Sequence, residues 1–157
     1  MKRHGFTLIE LLIVIAIIGI VAAIAIPNLL TALQKSKLKA TMGDMKSIGT
    51  AIESYMTDNS MAPGGGDYDL IADIGSFLDP FYIKVLPDRD AWNVPLNYES
   101  GALGLTQLRY SIISYGRGGL SDGVDISNNG YIITSLQGFE NDLCFSNGVF
   151  TQAPKVK

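Results

Sequence analysis

Twenty-one consecutive residues, Phe6 to Ile26, contain a single ionisable side chain, Glu10, and otherwise only apolar, small or hydroxyl-bearing ones. As a helix this run is about 31 Å long at 1.5 Å per residue, enough to cross a hydrocarbon layer about 30 Å thick. Such a stretch predicts a membrane-spanning helix. An acid inside such a helix costs about 2.5–3.5 kcal/mol near the bilayer centre, so its presence marks a place where a partner is awaited. Glu10 is therefore a candidate functional residue.

The residues before and into this run are Met1-Lys2-Arg3-His4-Gly5 and then Phe6-Thr7-Leu8-Ile9-Glu10. A short basic leader ending in glycine, followed by Phe-Thr-Leu-Ile-Glu and an apolar stretch, resembles the class III signal of type IV pilins and type II secretion pseudopilins. The resemblance implies cleavage by a prepilin peptidase between Gly5 and Phe6, with N-methylation of the new terminus at Phe6. It also implies that Glu10 neutralises the Phe6 amino group of a neighbouring subunit during filament assembly. The chemistry agrees: an ammonium and a carboxylate that pair lose much of the penalty each suffers alone in hydrocarbon.

A basic start and an apolar run also describe a secretory signal or a plain anchor. Ala23-Ile24-Ala25 offers a small-x-small cleavage site, but the run exceeds the 7–15 apolar residues usual for a cleaved signal and contains Glu10. Basic residues flank both ends, Lys2 and Arg3 on one side and Lys35, Lys37 and Lys39 on the other, so charge asymmetry leaves orientation open. The resemblance places the short amino end in the cytoplasm and the remainder outside the inner membrane, as a single-pass protein that then joins a periplasmic or extracellular filament.

The chain has 157 residues with 12 Lys+Arg and 15 Asp+Glu. That length leaves room for one small head beyond the anchor. Loss of Lys2 and Arg3 with the leader leaves ten basic residues against fifteen acidic, a net of −5. No basic stripe suited to phosphate backbones is present, which argues against nucleic acid as a partner. Cys144 is the only cysteine, so no disulfide forms within the chain, and His4, the only histidine, falls in the leader. His-based triads and His-ligated metals are thereby removed from the mature protein.

Pro27 lacks a backbone donor and crowds the turn before it, which predicts a kink or loosened stretch, helped by Gly19. The resemblance assigns that loosening to Gly19–Pro27 as subunits pack into a filament. Beyond it, Leu38, Met42, Met45, Ile48, Ile52 and Tyr55 recur at helical spacing with Lys39, Asp44, Lys46 and Glu53 between them. This predicts one apolar helix face, closed by Asn59 and Pro63-Gly64-Gly65-Gly66. Burying six such side chains is worth on the order of 10 kcal/mol as an upper bound, so the rest of the chain must cover them. Met42 and Met45 belong to that face and not to a thioether metal site.

Further along, Tyr68 to Leu78 suits a short helix capped by Asp67. The segment Leu86-Pro87-Asp88-Arg89-Asp90-Ala91-Trp92-Asn93-Val94-Pro95 is similar to the Leu-Pro-x-Asp-x-Trp-Gly-x-Pro stretch of major type II pseudopilins, with Asn93 where that pattern has glycine. Asparagine tolerates left-handed backbone well enough to keep the turn. Strands are predicted at 96–99, 108–115, 131–136, 143–146 and 149–152, and Asn147-Gly148 is the strongest hairpin signal. The fold class is α+β, with an antiparallel sheet of three to five strands over the helix face. The predicted divisions are a leader at 1–5, a spanning and filament-core helix at 6–27, an amphipathic helix at 28–60 and a head at 61–157.

Between two of those strands, Tyr115 to Asn129 places Asp122 and Asp125 among glycines. Two readings stand. One is a calcium loop built from these acids and backbone carbonyls, with Arg117 opposing a cation; the other is a solvated glycine-rich turn. Major pseudopilins carry a calcium loop in a similar position, so the first reading leans partly on the resemblance. The acids Asp88, Asp90, Asp67, Asp69 and Asp73 could in principle serve acid–base chemistry, but no nucleophile or metal motif accompanies them, and capping or surface roles fit better.

The functional expectation is a non-enzymatic subunit of a type II pseudopilus-like filament. Its partners would be copies of itself, a prepilin peptidase, an inner-membrane assembly platform and other pilins or pseudopilins. A type IV pilin of a surface pilus shares every assembly residue and stays open, because the hairpin at 142–152 departs from the usual short pseudopilin ending. A membrane-anchored enzyme using the acidic loop is the reading from another class.

Overall fold

In the computed structural model, which describes residues 6–64, 69–100, 109–121, 123 and 133–155, the apolar run and the amphipathic segment are consecutive parts of one helix, α1, Leu8–Asn59. The chain divides into two compact units, Met1–Lys35 and Ser36–Lys157.

In the first unit α1 exposes apolar side chains on all sides, from Leu8 through Ile18 to Leu33. By length and composition it is able to cross a membrane. The helix continues unbroken through Gly19 and Pro27. Near the proline, Asn28 Nδ2 donates to the Ile24 carbonyl at 3.1 Å and Thr31 Oγ1 donates to the Pro27 carbonyl at 3.0 Å.

In the second unit the predicted apolar face is the buried face. Leu38, Met45, Ile48 and Ile52 are buried, while Met42 and Tyr55 are partly so. Opposite this face is a five-stranded antiparallel sheet in the order β1 (Asp69–Leu70), β2 (Asn97–Ser100), β3 (Tyr110–Ser114), β4 (Leu143–Ser146) and β5 (Val149–Gln152). Its centre is fixed by the registers Tyr98 with Ile112 and Ile113 with Cys144. Tyr98, Ile112, Leu143 and Phe145 carry the sheet side of the core. The β4–β5 connection is Asn147-Gly148, with φ of 47° and 84°, the pair of positive values a type I′ turn requires.

Two expected elements change. The helix expected over 68–78 becomes extended backbone at β1, then a 3-10 turn, Ile71–Ile74, and a single α turn, α2, Gly75–Leu78. Pairing of Asp69 and Leu70 with Tyr98 and Asn97 holds the first part extended, and Asp73 accepts the Leu70 N–H at 3.0 Å. Asp67, the expected cap, lies outside the described residues. The strand expected over 131–136 is not one in its described portion, which leads into a 3-10 turn, Leu136–Phe139; β3 pairs directly with β4 and leaves no slot between them.

Candidate functional site

Helix α1 opens on a reciprocal cap between Thr7 and Glu10. Thr7 is the residue before the first helical turn and Glu10 is the third residue of that turn. The Glu10 Oε2 accepts the Thr7 backbone N–H at 2.8 Å and the Thr7 hydroxyl at 2.7 Å, and Thr7 Oγ1 accepts the Glu10 N–H at 3.3 Å. This is a capping box, in which two otherwise orphaned helix N–H groups are satisfied. The carboxylate is thus folded back to the amide immediately after Phe6, a residue that is 73% exposed.

The chemistry of that arrangement is specific. An acid on a helix that offers no other charge until Lys35 is held by neutral donors only, so a cation at the helix start is the partner that would gain most from it. Sequence reasoning singles out Glu10 and Phe6 but passes over Thr7. The signal was present, since Thr-x-x-Glu ahead of an apolar run is the capping-box pattern. Gly5, on the leader side of the expected cleavage, lies outside the described residues, whereas Gly19 and Pro27 lie within α1.

In the second unit the Asp88–Pro95 segment is a folded loop organised by one buried carboxylate. Asp90 Oδ1 accepts the N–H groups of Trp92 and Val94, both at 2.9 Å, and Oδ2 accepts the Ser114 hydroxyl at 2.8 Å. Asp90 is 6% exposed, so its role is internal capping. Asn93, with φ of 68°, takes the left-handed position, and Thr41 on α1 accepts the Ala91 N–H at 3.1 Å. These bonds tie the loop to both helix and sheet.

The candidate calcium ligands Asp122 and Asp125 lie outside the described residues. Of that loop, Gly116–Gly118 forms a 3-10 turn, and Arg117 pairs with Glu140 at 3.1 Å. Among the described residues no group of three or more His, Cys, Asp or Glu side chains could hold a metal ion. Cys144 is fully buried, and that burial raises its thiol pKa above the ordinary range.

Comparison with known proteins gives two family matches. Residues 1–26 match the prokaryotic N-terminal methylation motif, and residues 28–131 match type II secretion system protein G. Among curated relatives, the chain is 34% identical over 137 residues to the type II secretion system core protein G of Pseudomonas aeruginosa, covering 81% of this chain and 95% of that one. It is 33% identical over 137 residues to the core protein G of Vibrio cholerae, covering 81% and 92%. A 60-residue stretch is 48% identical to the type IV major fimbrial protein FimA of Dichelobacter nodosus, 38% of each chain. No solved structure matches.

Proposed function

We propose, from the premise that this chain belongs to the type II secretion system protein G family, how its amino-terminal residues carry out the work of a major pseudopilin. A pseudopilin is a structural subunit, and its activity is polymerisation into the secretion pseudopilus. The methylation motif covers Gly5 and Phe6, which supports cleavage between them by prepilin peptidase and methylation of the Phe6 amine. The product is a cation at the start of an apolar helix, four positions from a carboxylate held only by neutral donors.

Before assembly, the Thr7 box supplies Glu10 with two donors and keeps it tolerable in an apolar setting. On assembly, the Phe6 ammonium of a neighbouring copy replaces or joins those donors. Pairing relieves both charges at once, and the exposed apolar surface of α1 between Leu8 and Leu33 packs against its copies. The exposed apolar helix with one acid at its head is the observation that carries this reading.

The subunit sits in the inner membrane as a single pass with its head outside the cytoplasm, and enters a periplasmic filament with help from an inner-membrane assembly platform. Likeness along most of both chains supports the pseudopilus over a surface pilus, for which the FimA likeness spans 38% of each chain. Mass measurement of the membrane-purified protein tests the processing step. Loss of Met1 to Gly5 with one added methyl group is expected, and retention of all five residues would overturn it.

A further inference from the structure

We infer that Phe81 is an intersubunit contact, seated in the filament against the Lys39–Ser47 face of helix α1 on a second copy of this chain. This rests on the polymerisation reading above. Phe81 is 82% exposed, and its neighbours Val85 and Phe77 are exposed as well. The two phenylalanines belong to one row of stacked rings. Rings stack edge to face from Phe77 to Tyr55 at 6.1 Å, Tyr55 to Tyr82 at 5.4 Å and Tyr82 to Phe81 at 4.9 Å. The Tyr82 hydroxyl donates to Asp58 Oδ2 at 3.0 Å, fastening the row to the end of α1.

A pre-ordered aromatic loses little freedom on docking, and exposed aromatics of this kind are the usual anchors of protein interfaces. The receiving face is suited to it in shape and charge. Ala40, Gly43 and Ser47 are exposed on α1, and nothing stands within 4 Å of where a Gly43 Cβ would be. The Ser47 hydroxyl is already satisfied by the Gly43 carbonyl at 3.0 Å, so an apolar ring can cover it without orphaning a donor.

Residues 73–85 carry Asp73 and Asp79 against Lys84, a net negative segment, whereas 39–47 carries Lys39 and Lys46 against Asp44, a net positive one. The two surfaces are different patches of one chain, so their pairing is heterologous, the type of contact from which an open filament is built. Along α1 they are offset from Gly43 to Tyr55, about 18 Å at 1.5 Å per residue.

The test uses full-length protein carrying Phe81→Cys and Ser47→Cys, with the buried Cys144 left in place, assembled into filaments and then oxidised. A ladder of covalent multimers from the double variant, with only trace cross-linking from either single variant, is expected. Phe81→Ala is expected to lower filament yield about tenfold with its melting temperature unchanged. Filaments that form without a ladder, dimers from Phe81→Cys alone, or wild-type yield from Phe81→Ala would overturn this contact while leaving polymerisation standing. Failure of the wild-type chain to form filaments at all would remove both.

Discussion

Gly49 on α1 lies directly beneath the Phe145 ring of β4, so close that a Cβ built on the glycine would overlap the ring edge at Cε1 and meet the Tyr110 hydroxyl at 3.0 Å. Helix and sheet approach as they do because this position has no side chain. In an open helix, Gly→Ala gains up to about 1 kcal/mol. Here overpacking opposes that gain, and Gly49→Ala is expected to destabilise by about 1–3 kcal/mol in chemical denaturation. Phe145→Leu in the same chain should recover part of the loss, and strict additivity of the two changes would show that they do not share this contact.

Tyr110 is a second tie between sheet and helix. Its hydroxyl donates to Glu53 Oε1 at 2.8 Å and lies 3.3 Å from the Gly49 carbonyl. Burial first, and then the bond to Glu53, raise its pKa well above the ordinary 10.0. The folded state therefore keeps a proton that the unfolded chain releases. The stability this contributes is complete below about pH 10 and is lost as pH rises through the folded value. Wild type should exceed Tyr110→Phe by about 0.5–1.5 kcal/mol near neutrality, and that margin should shrink above pH ~10. A margin that stays level from pH ~8 to ~11 would contradict this linkage.

Asp90 satisfies two backbone N–H groups and the Ser114 hydroxyl from a buried position. Asp90→Ala orphans all three and is expected to cost on the order of 3 kcal/mol, read from the urea midpoint. Asp90→Asn keeps one acceptor oxygen and should cost less. Asn93 holds φ of 68°, so Asn93→Gly should be neutral or slightly stabilising, whereas Asn93→Ala should cost about 1 kcal/mol.

How much of this was legible in the sequence depended on the range of the interaction. The helical form of the apolar run, the Leu38–Tyr55 face and the Asn147-Gly148 turn rest on local periodicity or one dipeptide, and each stands in the structure. The α+β class followed from them. By contrast, β1 exists only because Asp69 and Leu70 meet a strand nearly thirty residues away, and a local pattern of leucine and isoleucine read as helix there. Burial of Thr41 and Asp90 is likewise set by a loop–helix contact fifty residues apart. Thr7 is legible as half of a capping box, since Thr-x-x-Glu precedes the apolar run.

Glu10 carries the sharpest functional prediction, because its capping bonds and its proposed pairing with an amine separate by substitution. Glu10→Ala removes both the cap on the Thr7 N–H and the proposed partner for the Phe6 amine, while leaving Gly5 and Phe6 in place. Cleavage should proceed and filament yield should collapse. Thr7→Val instead removes the hydroxyl, leaving the carboxylate and its bond to the Thr7 N–H. If the carboxylate acts mainly on a neighbour's amine, Thr7→Val filaments should form at reduced yield, and Glu10→Gln should behave like Glu10→Ala because a neutral amide caps the helix yet cannot neutralise an ammonium. Purified filaments, counted by electron microscopy beside mass measurement of the processed subunit, distinguish these cases. Glu10→Gln filaments at wild-type density would assign the residue to helix capping alone.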